Sequence, residues 1–440
     1  MRKFLSLLLI FALILSVSAC GRKVIEESFD HIEGIEGVST TSASKAGASA
    51  DGALSISNSM MASAPAEAPA AYEPYAEADY IGDDAIIIGD IAPSEPDVQP
   101  SSGLLTAGEW NDNKNWGFFT NLVKSQTIIF PSFGLNPVNR LSVTVKDETG
   151  APVVNERVQL VSADGDNVFW SARTNSDGAA YLFFARQTVL DGAKVGVGET
   201  LYDVTTDAEV DEQSKDSTSV VIAEDMEITY TPDNSGLSGT QVMFILDTTG
   251  SMTDEIMFLQ KDFAAIARDV AGENITYSVN FYRDHGDDYV TRTNSFTSDI
   301  QEVQAKINAE YADGGGDMPE AVAEILTETI TDNSEWQENT SKLAFLIFDA
   351  PPHEGKEQEL LMAIKTAADK GIKIIPVVAS NADRNTELFG RAAAIMTNGT
   401  YVFLTDDSGI GNSHLEPIIG DYEVELLHNI IVRIIEQNLA

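Results

Sequence analysis

Three short stretches of this 440-residue chain place oxygen-bearing side chains directly after apolar runs. The first is Asp247-Thr248-Thr249-Gly250-Ser251-Met252, following the run 242–246. Asp247 closes the expected strand, Gly250 permits a tight turn, and the hydroxyls of Thr249 and Ser251 can point back at an ion beside the carboxylate. Mg²⁺ takes near-octahedral oxygen coordination and keeps several waters, so a few short oxygen side chains on one loop suit it. The same residues also read as a helix N-cap, with Ser251 or Thr253 bonding free amides and Asp254 and Glu255 favoured by the helix dipole. The two readings are compatible. The second stretch is Gly314-Gly315-Gly316-Asp317-Met318-Pro319-Glu320, a glycine loop running into a helix with Pro319 at or near its first position. The third is Asp349, which closes the run 343–348 ahead of Ala350-Pro351-Pro352-His353.

Nucleophilic catalysis has little to work with. The chain has no Gly-x-Ser-x-Gly and no His-Glu-x-x-His, and its five histidines are scattered. Ser251 and His353 can be imagined as a pair at one sheet edge, but a metal-ligand role explains Ser251 with fewer assumptions. The expectation is a protein that is not an enzyme. The polar loop 282–289, Tyr-Arg-Asp-His-Gly-Asp-Asp-Tyr, reads either as a rim for partner contact or as a solvated turn.

The three stretches need a scaffold that brings strand ends together. Apolar runs at 242–246, 275–282, 343–348, 372–378 and 401–404 alternate with helical patterns near 254–270, 299–311, 319–331, 356–370, 387–396 and 424–438. That alternation predicts an α/β doubly wound domain, a parallel sheet covered by helices on both faces. In such sheets ligands bind outside the carboxyl ends of the strands, where all three stretches fall. In the last helix Val424, Leu427, Ile431 and Ile434 share one face.

Strand-Asp-x-Thr-x-Ser, a glycine-rich loop before a helix, and a strand ending in Asp together resemble a von Willebrand factor A domain with its metal-ion-dependent adhesion site. The resemblance covers about residues 240–440, and its wording is similar to the hemicentin-like and bacterial branch. Carried over by position, it assigns Asp247, Thr249 and Ser251 to the first ligand loop, Asp317 to the second and Asp349 to the third. It implies one divalent cation, Mg²⁺ first, with Ca²⁺ or Mn²⁺ as alternatives. Adhesive A domains usually carry threonine where this chain has Asp317, so the site holds one more negative charge. The expectation is tighter metal binding and a weaker pull on a partner's carboxylate, and Asp317→Thr lowering metal affinity would check it.

Upstream, residues 139–231 alternate with period two around turn signals such as Asp147-Glu148-Thr149-Gly150 and Asn175-Ser176-Asp177-Gly178, predicting a small all-β sandwich. The segment resembles bacterial Ig-like and carboxypeptidase-regulatory-like modules, and the domain is placed at 106–235. Its acids Asp207, Glu209, Asp211 and Glu212 read as a solvated loop ahead of a structural Ca²⁺ site. Residues 20–105, rich in Ala, Ser, Pro and acids, cannot build a core and are expected to be a disordered acidic tether; 85–91 is the one strand-like island.

Residues 1–19 have the charged, apolar and small-residue parts of an export signal, and the apolar run is too short to cross a bilayer as a mature helix. Val17-Ser18-Ala19-Cys20-Gly21 resembles the bacterial lipobox, which implies acylation of Cys20, the single cysteine. The expected location is therefore the outer side of a bacterial cell membrane or envelope, anchored by lipid.

Charge narrows the partners further. Lys plus Arg total 27 against 69 Asp plus Glu, a formal net charge of −42, which repels phosphate backbones and favours cations. Nucleic acid is excluded as a partner class, and with one cysteine no intramolecular disulfide or cysteine-based zinc site is available. The combined expectation is a surface-anchored lipoprotein whose C-terminal domain binds a protein or matrix partner through a divalent cation. That partner would present an acidic group to the metal and a basic rim to the surrounding surface. A scaffold lipoprotein in assembly of a cell-envelope complex is the alternative.

Overall fold

The computed structural model describes residues 105–131, 133–185, 190–204, 225–232, 236–316, 318–409 and 413–440. The expectations for the leader, Cys20, the tether, the acids 207–212 and Asp317 lie outside the described residues.

The chain enters through strand β1 (Thr106–Trp110) and helix α1 (Trp116–Lys124). Seven short strands follow: β2 (Arg140–Lys146), β3 (Arg157–Val161), β4 (Val168–Arg173), β5 (Ala179–Phe183), β6 (Lys194–Val197), β7 (Thr200–Asp203) and β8 (Met226–Thr229). They form two sheets, ordered β5-β2-β8 and β4-β3-β6-β7. In β2 the alternation expected from sequence is realised, with Leu141, Val143 and Val145 buried, and these residues share a core with Val158, Leu160, Trp170 and Leu182 of the other strands. The turn after β2 is held by Asp147, whose Oδ1 accepts the amides of Thr149 and Ala151 at 2.8 and 2.9 Å.

The C-terminal half alternates β9 (Thr240–Asp247), α2 (Thr253–Asp269), β10 (Ile275–Tyr282), β11 (Thr291–Arg292), α3 (Ile300–Ala309), α4 (Val322–Leu326), β12 (Ser341–Phe348), α5 (Glu357–Lys370), β13 (Ile372–Val378), α6 (Arg384–Met396), β14 (Tyr401–Thr405), β15 (Glu425–Leu426) and α7 (Leu427–Glu436). They build one sheet in the order β11-β10-β9-β12-β13-β14-β1-β15, parallel from β10 to β14 and antiparallel at its ends. All eight residues of β9 are buried, as a strand covered on both faces requires. Val242, Phe244 and Leu246 pack into one layer with α2 and α7, while Met243 and Ile245 face the opposite layer with α4, α5 and α6.

Two details depart from the sequence reading. Residues 106–110, grouped there with the β-rich middle, form the seventh strand of the C-terminal sheet, from Thr106 opposite Thr405 to Trp110 opposite Tyr401. Gly108 makes this possible, since a Cβ there would overlap the rings of Phe403 and Tyr422. The added strand is locked by Asp112, whose carboxylate receives two hydrogen bonds from the fully buried Arg391 of α6 at 2.9 and 2.7 Å. In the last helix Leu427, Ile430, Ile431, Ile434 and Ile435 form the buried face, whereas Val424 precedes the helix and is exposed.

The β sandwich docks on the helical layer of the C-terminal sheet. Trp170 stacks edge-on against Phe183 and lies beneath the Lys365 ammonium of α5, and Arg157 donates to Asp369 at the end of the same helix at 2.7 Å.

Candidate metal centre

Asp247 ends β9 with its side chain fully buried. Its Oδ1 accepts the backbone amide of Thr249 at 2.9 Å and the Thr249 hydroxyl at 2.7 Å, while Oδ2 is buried and, among the described residues, has no hydrogen-bond partner. The Ser251 hydroxyl, on the next turn of the loop, lies near Asp349 after β12 and favours the ionised form of that carboxyl. Neither hydroxyl caps a helix: the turn Gly250–Met252 and α2 have no side-chain cap bond, and the Thr253 hydroxyl turns back to the carbonyl of Gly250 at 3.2 Å. The side-chain cap is therefore absent, while Asp254 and Glu255 do lie in the first turn of α2.

Both carboxyls titrate above their ordinary range. For Asp247 burial is the main cause and the nearby Asp349 the second; for Asp349 burial prevails over the Ser251 hydrogen bond that favours its ionised form. A third acid, Glu320, is delivered by the second loop. Its backbone bridges to Pro352, the amide donating to the Pro351 carbonyl at 3.0 Å, and its side chain is 3 % exposed with Oε2 unpartnered. Burial, then the charges of Asp247, Asp284, Asp349 and Asp287, push its carboxyl up to about 9. Among the described residues, no Lys, Arg or His forms an ion pair with Asp247, Asp349 or Glu320. Clustered buried acids with unsatisfied oxygens are costly unless a cation compensates them. A divalent ion would suit that donor set, and Asp247, Thr249, Ser251 and Asp349 are the residues that would hold it.

The glycines of the second loop are set by close approach. Gly315 has φ +72°, and a Cβ there would stand 3.1 Å from both Glu320 Oε1 and Thr249 Cβ. Gly314 has φ +80° and would collide with the Asp287 carboxylate, whose Oδ2 accepts the amides of Gly315 at 2.9 Å and Asp284 at 3.0 Å. Glu320 stood inside the glycine motif in the sequence without a role; only its bridge to Pro352, more than thirty residues downstream, brings it to the site.

The polar loop after β10 is solvated only in part: His285, Gly286 and Asp288 are exposed, while Arg283 is buried. Arg283 is 1 % exposed, donates to the Tyr311 carbonyl at 2.8 Å, and lies over the rings of Tyr289 and Tyr311. The Tyr289 hydroxyl donates to Glu310 at 2.8 Å and stands 2.6 Å from the Thr248 hydroxyl. Thr248 donates in turn to the Tyr282 carbonyl at 2.9 Å, so this network braces the first ligand loop from behind. His353 and Ser251 are not partners: His353 Nε2 lies 2.5 Å from Asp284 Oδ1.

A parallel sheet wrapped on both faces, with loops at its carboxyl edge carrying hydroxyls and buried acids, defines an α/β domain of the A type. Residues 241–411 match the family model of the von Willebrand factor A domain, and such a domain is present there. One curated relative, named "Putative ariadne-like RING finger protein" of Acanthamoeba polyphaga mimivirus, is 29 % identical over 114 residues, covering 25 % of this chain and 11 % of that protein. The chain thus spans about a tenth of the length of the curated relative it matches.

Proposed function

We propose that this protein is a surface-displayed, lipid-anchored binding protein whose von Willebrand factor A domain engages a partner through one divalent cation. The observation that carries the reading is the buried pair Asp247 and Asp349, with the Thr249 hydroxyl turned onto Asp247, the Ser251 hydroxyl near Asp349, and Asp247 Oδ2 left without a donor among the described residues. Domains of this family commonly mediate protein binding, which supports a protein or matrix partner. Mg²⁺ suits the short oxygen donors and the small loop, with Ca²⁺ and Mn²⁺ as competitors. Asp317 would join the set as the sequence motif assigns it. The anchor rests on the Cys20 motif and the leader before it.

The test is calorimetric titration of Mg²⁺, Ca²⁺ and Mn²⁺ into the chain, wild type beside Asp247→Ala. Saturable one-site binding that the substitution abolishes supports the reading. Absence of binding in the wild type overturns it and leaves a scaffold lipoprotein as the better account.

A further inference from the structure

A second group of metal-ligating side chains lies beside this site and shares none of its residues. Asp284 and His285 follow β10, His353 follows β12, and these two strands flank β9. Their loops therefore meet over the strand that carries Asp247. One ligand atom from each of Asp284, His285 and His353 lies within 4.8 Å of the others. The two imidazoles stack at 4.9 Å with 19° between their planes, and His353 Nε2 is 2.5 Å from Asp284 Oδ1. Glu324 Oε1 stands 2.9 Å from His285 Nε2 and 3.0 Å from the Lys356 ammonium.

We propose that Asp284, His285 and His353 form a binding site for a first-row transition ion of the Zn²⁺ class, with Glu324 as the carboxylate that fixes His285. Two imidazoles and a carboxylate are the donors such ions prefer, whereas Mg²⁺ and Ca²⁺ take all-oxygen sets. Bonds of about 2.0–2.2 Å to one ion place tetrahedral ligand atoms roughly 3.4 Å apart, so closure asks for about 1 Å of movement. The exposed His285 can supply it by side-chain rotation. Asp284 is 8 % exposed and its backbone is tied through its amide to Asp287, which also holds Gly315, so the least mobile ligand is braced by the loop that lines the first site. Three protein ligands leave a tetrahedral ion one position for water or a partner group. The domain would then present two different metals side by side, one chosen by oxygen donors and one by imidazole.

The experiment uses the whole chain and Co²⁺ as a coloured stand-in for Zn²⁺, titrated in a large excess of Mg²⁺ so that the oxygen site is filled. The expected result is one equivalent of Co²⁺ with the visible absorption of a four-coordinate ion, displaced by Zn²⁺ and retained in Asp247→Ala. His285→Ala and His353→Gln should each remove that band, and Glu324→Gln should weaken Co²⁺ binding about tenfold. His285 is exposed, so its replacement leaves the core intact, and circular dichroism checks each variant. No absorption band, a band indifferent to both histidine substitutions, or a band lost in Asp247→Ala would overturn the proposal. Because the decisive variants differ from those at Asp247, failure here leaves the reading of the first site standing.

Discussion

Thr249 donates both its amide and its hydroxyl to a single oxygen of Asp247, at 2.9 and 2.7 Å, and the other oxygen of that carboxylate is buried with no donor among the described residues. The loop thus orients the carboxylate without neutralising it. Metal should therefore stabilise the native state by mass action, by about 2.7 kcal/mol at a hundred times the dissociation constant. Asp247→Asn removes one of three clustered buried acids while keeping the shape. The variant should melt no lower than the wild type in chelator, yet gain nothing from Mg²⁺. Calorimetric melting of both proteins with and without Mg²⁺ checks this; a Mg²⁺-induced rise in the variant would show that the ion binds elsewhere.

Gly315 offers a way to disturb the same site without touching a ligand. Its φ of +72° disfavours any side chain, and a methyl group there would press on Glu320 and Thr249 at 3.1 Å. The left-handed conformation alone costs a non-glycine residue about 1–2 kcal/mol. Gly315→Ala should fold, lose that order of stability, and bind Mg²⁺ more weakly, because the methyl presses on Thr249 and Glu320 of the site. Gly150, also at positive φ but with open space around its Cβ position, is the control: Gly150→Ala should lose stability without changing metal affinity.

Much of the scaffold was readable because the parallel strands are short, largely apolar stretches separated by helical patterns. The strand 275–282 is found with the bounds the sequence indicated, as is 372–378. Strand β1 was not readable. Thr-Ala-Gly-Glu-Trp carries no strand periodicity, and its partner β14 lies nearly three hundred residues away. The first ligand loop was legible as a motif, but that the Thr249 hydroxyl turns onto Asp247 rather than capping α2 was not. Glu320 and the loop after β10 were opaque for a different reason. Their environments are set by contacts between loops, and a run such as Arg283-Asp284-His285 has the composition of a surface turn while its arginine is nearly fully buried.

The place of β1 has a consequence for stability. Arg391 is fully buried, and Asp112 supplies it with two hydrogen bonds beside Glu387. Orphaning a buried charge costs about 3–5 kcal/mol, and losing Asp112 should cost less than that because Glu387 still pairs with Arg391. Asp112→Ala should lower the urea midpoint accordingly. A fragment starting at Ser238 loses the same partner together with β1, and should be less stable than one starting at Leu105. Equal midpoints for the two fragments would mean that the seventh strand contributes nothing to the domain.

Lys342, at the start of β12, gives a stability signature in the alkaline range. It is 3 % exposed, and its ammonium donates to the carbonyls of Glu338 and Thr340 at 3.1 and 3.0 Å. Burial, with the neighbouring Arg173 adding to it, lowers its pKa to about 8. The unfolded value is about 10.4. Between these values the unfolded chain holds more protons than the folded one, so this lysine's contribution to stability rises with pH across that window. Below pH 8 both states are protonated and the full burial cost is present. Lys342→Met removes the titration, so its stability relative to wild type should be most favourable near pH 7 and should decline steadily towards pH 10. Paired urea denaturation at pH 7, 8.5 and 10 reads the difference directly. A difference that stays constant across the series would mean that Lys342 titrates in the fold as it does in water.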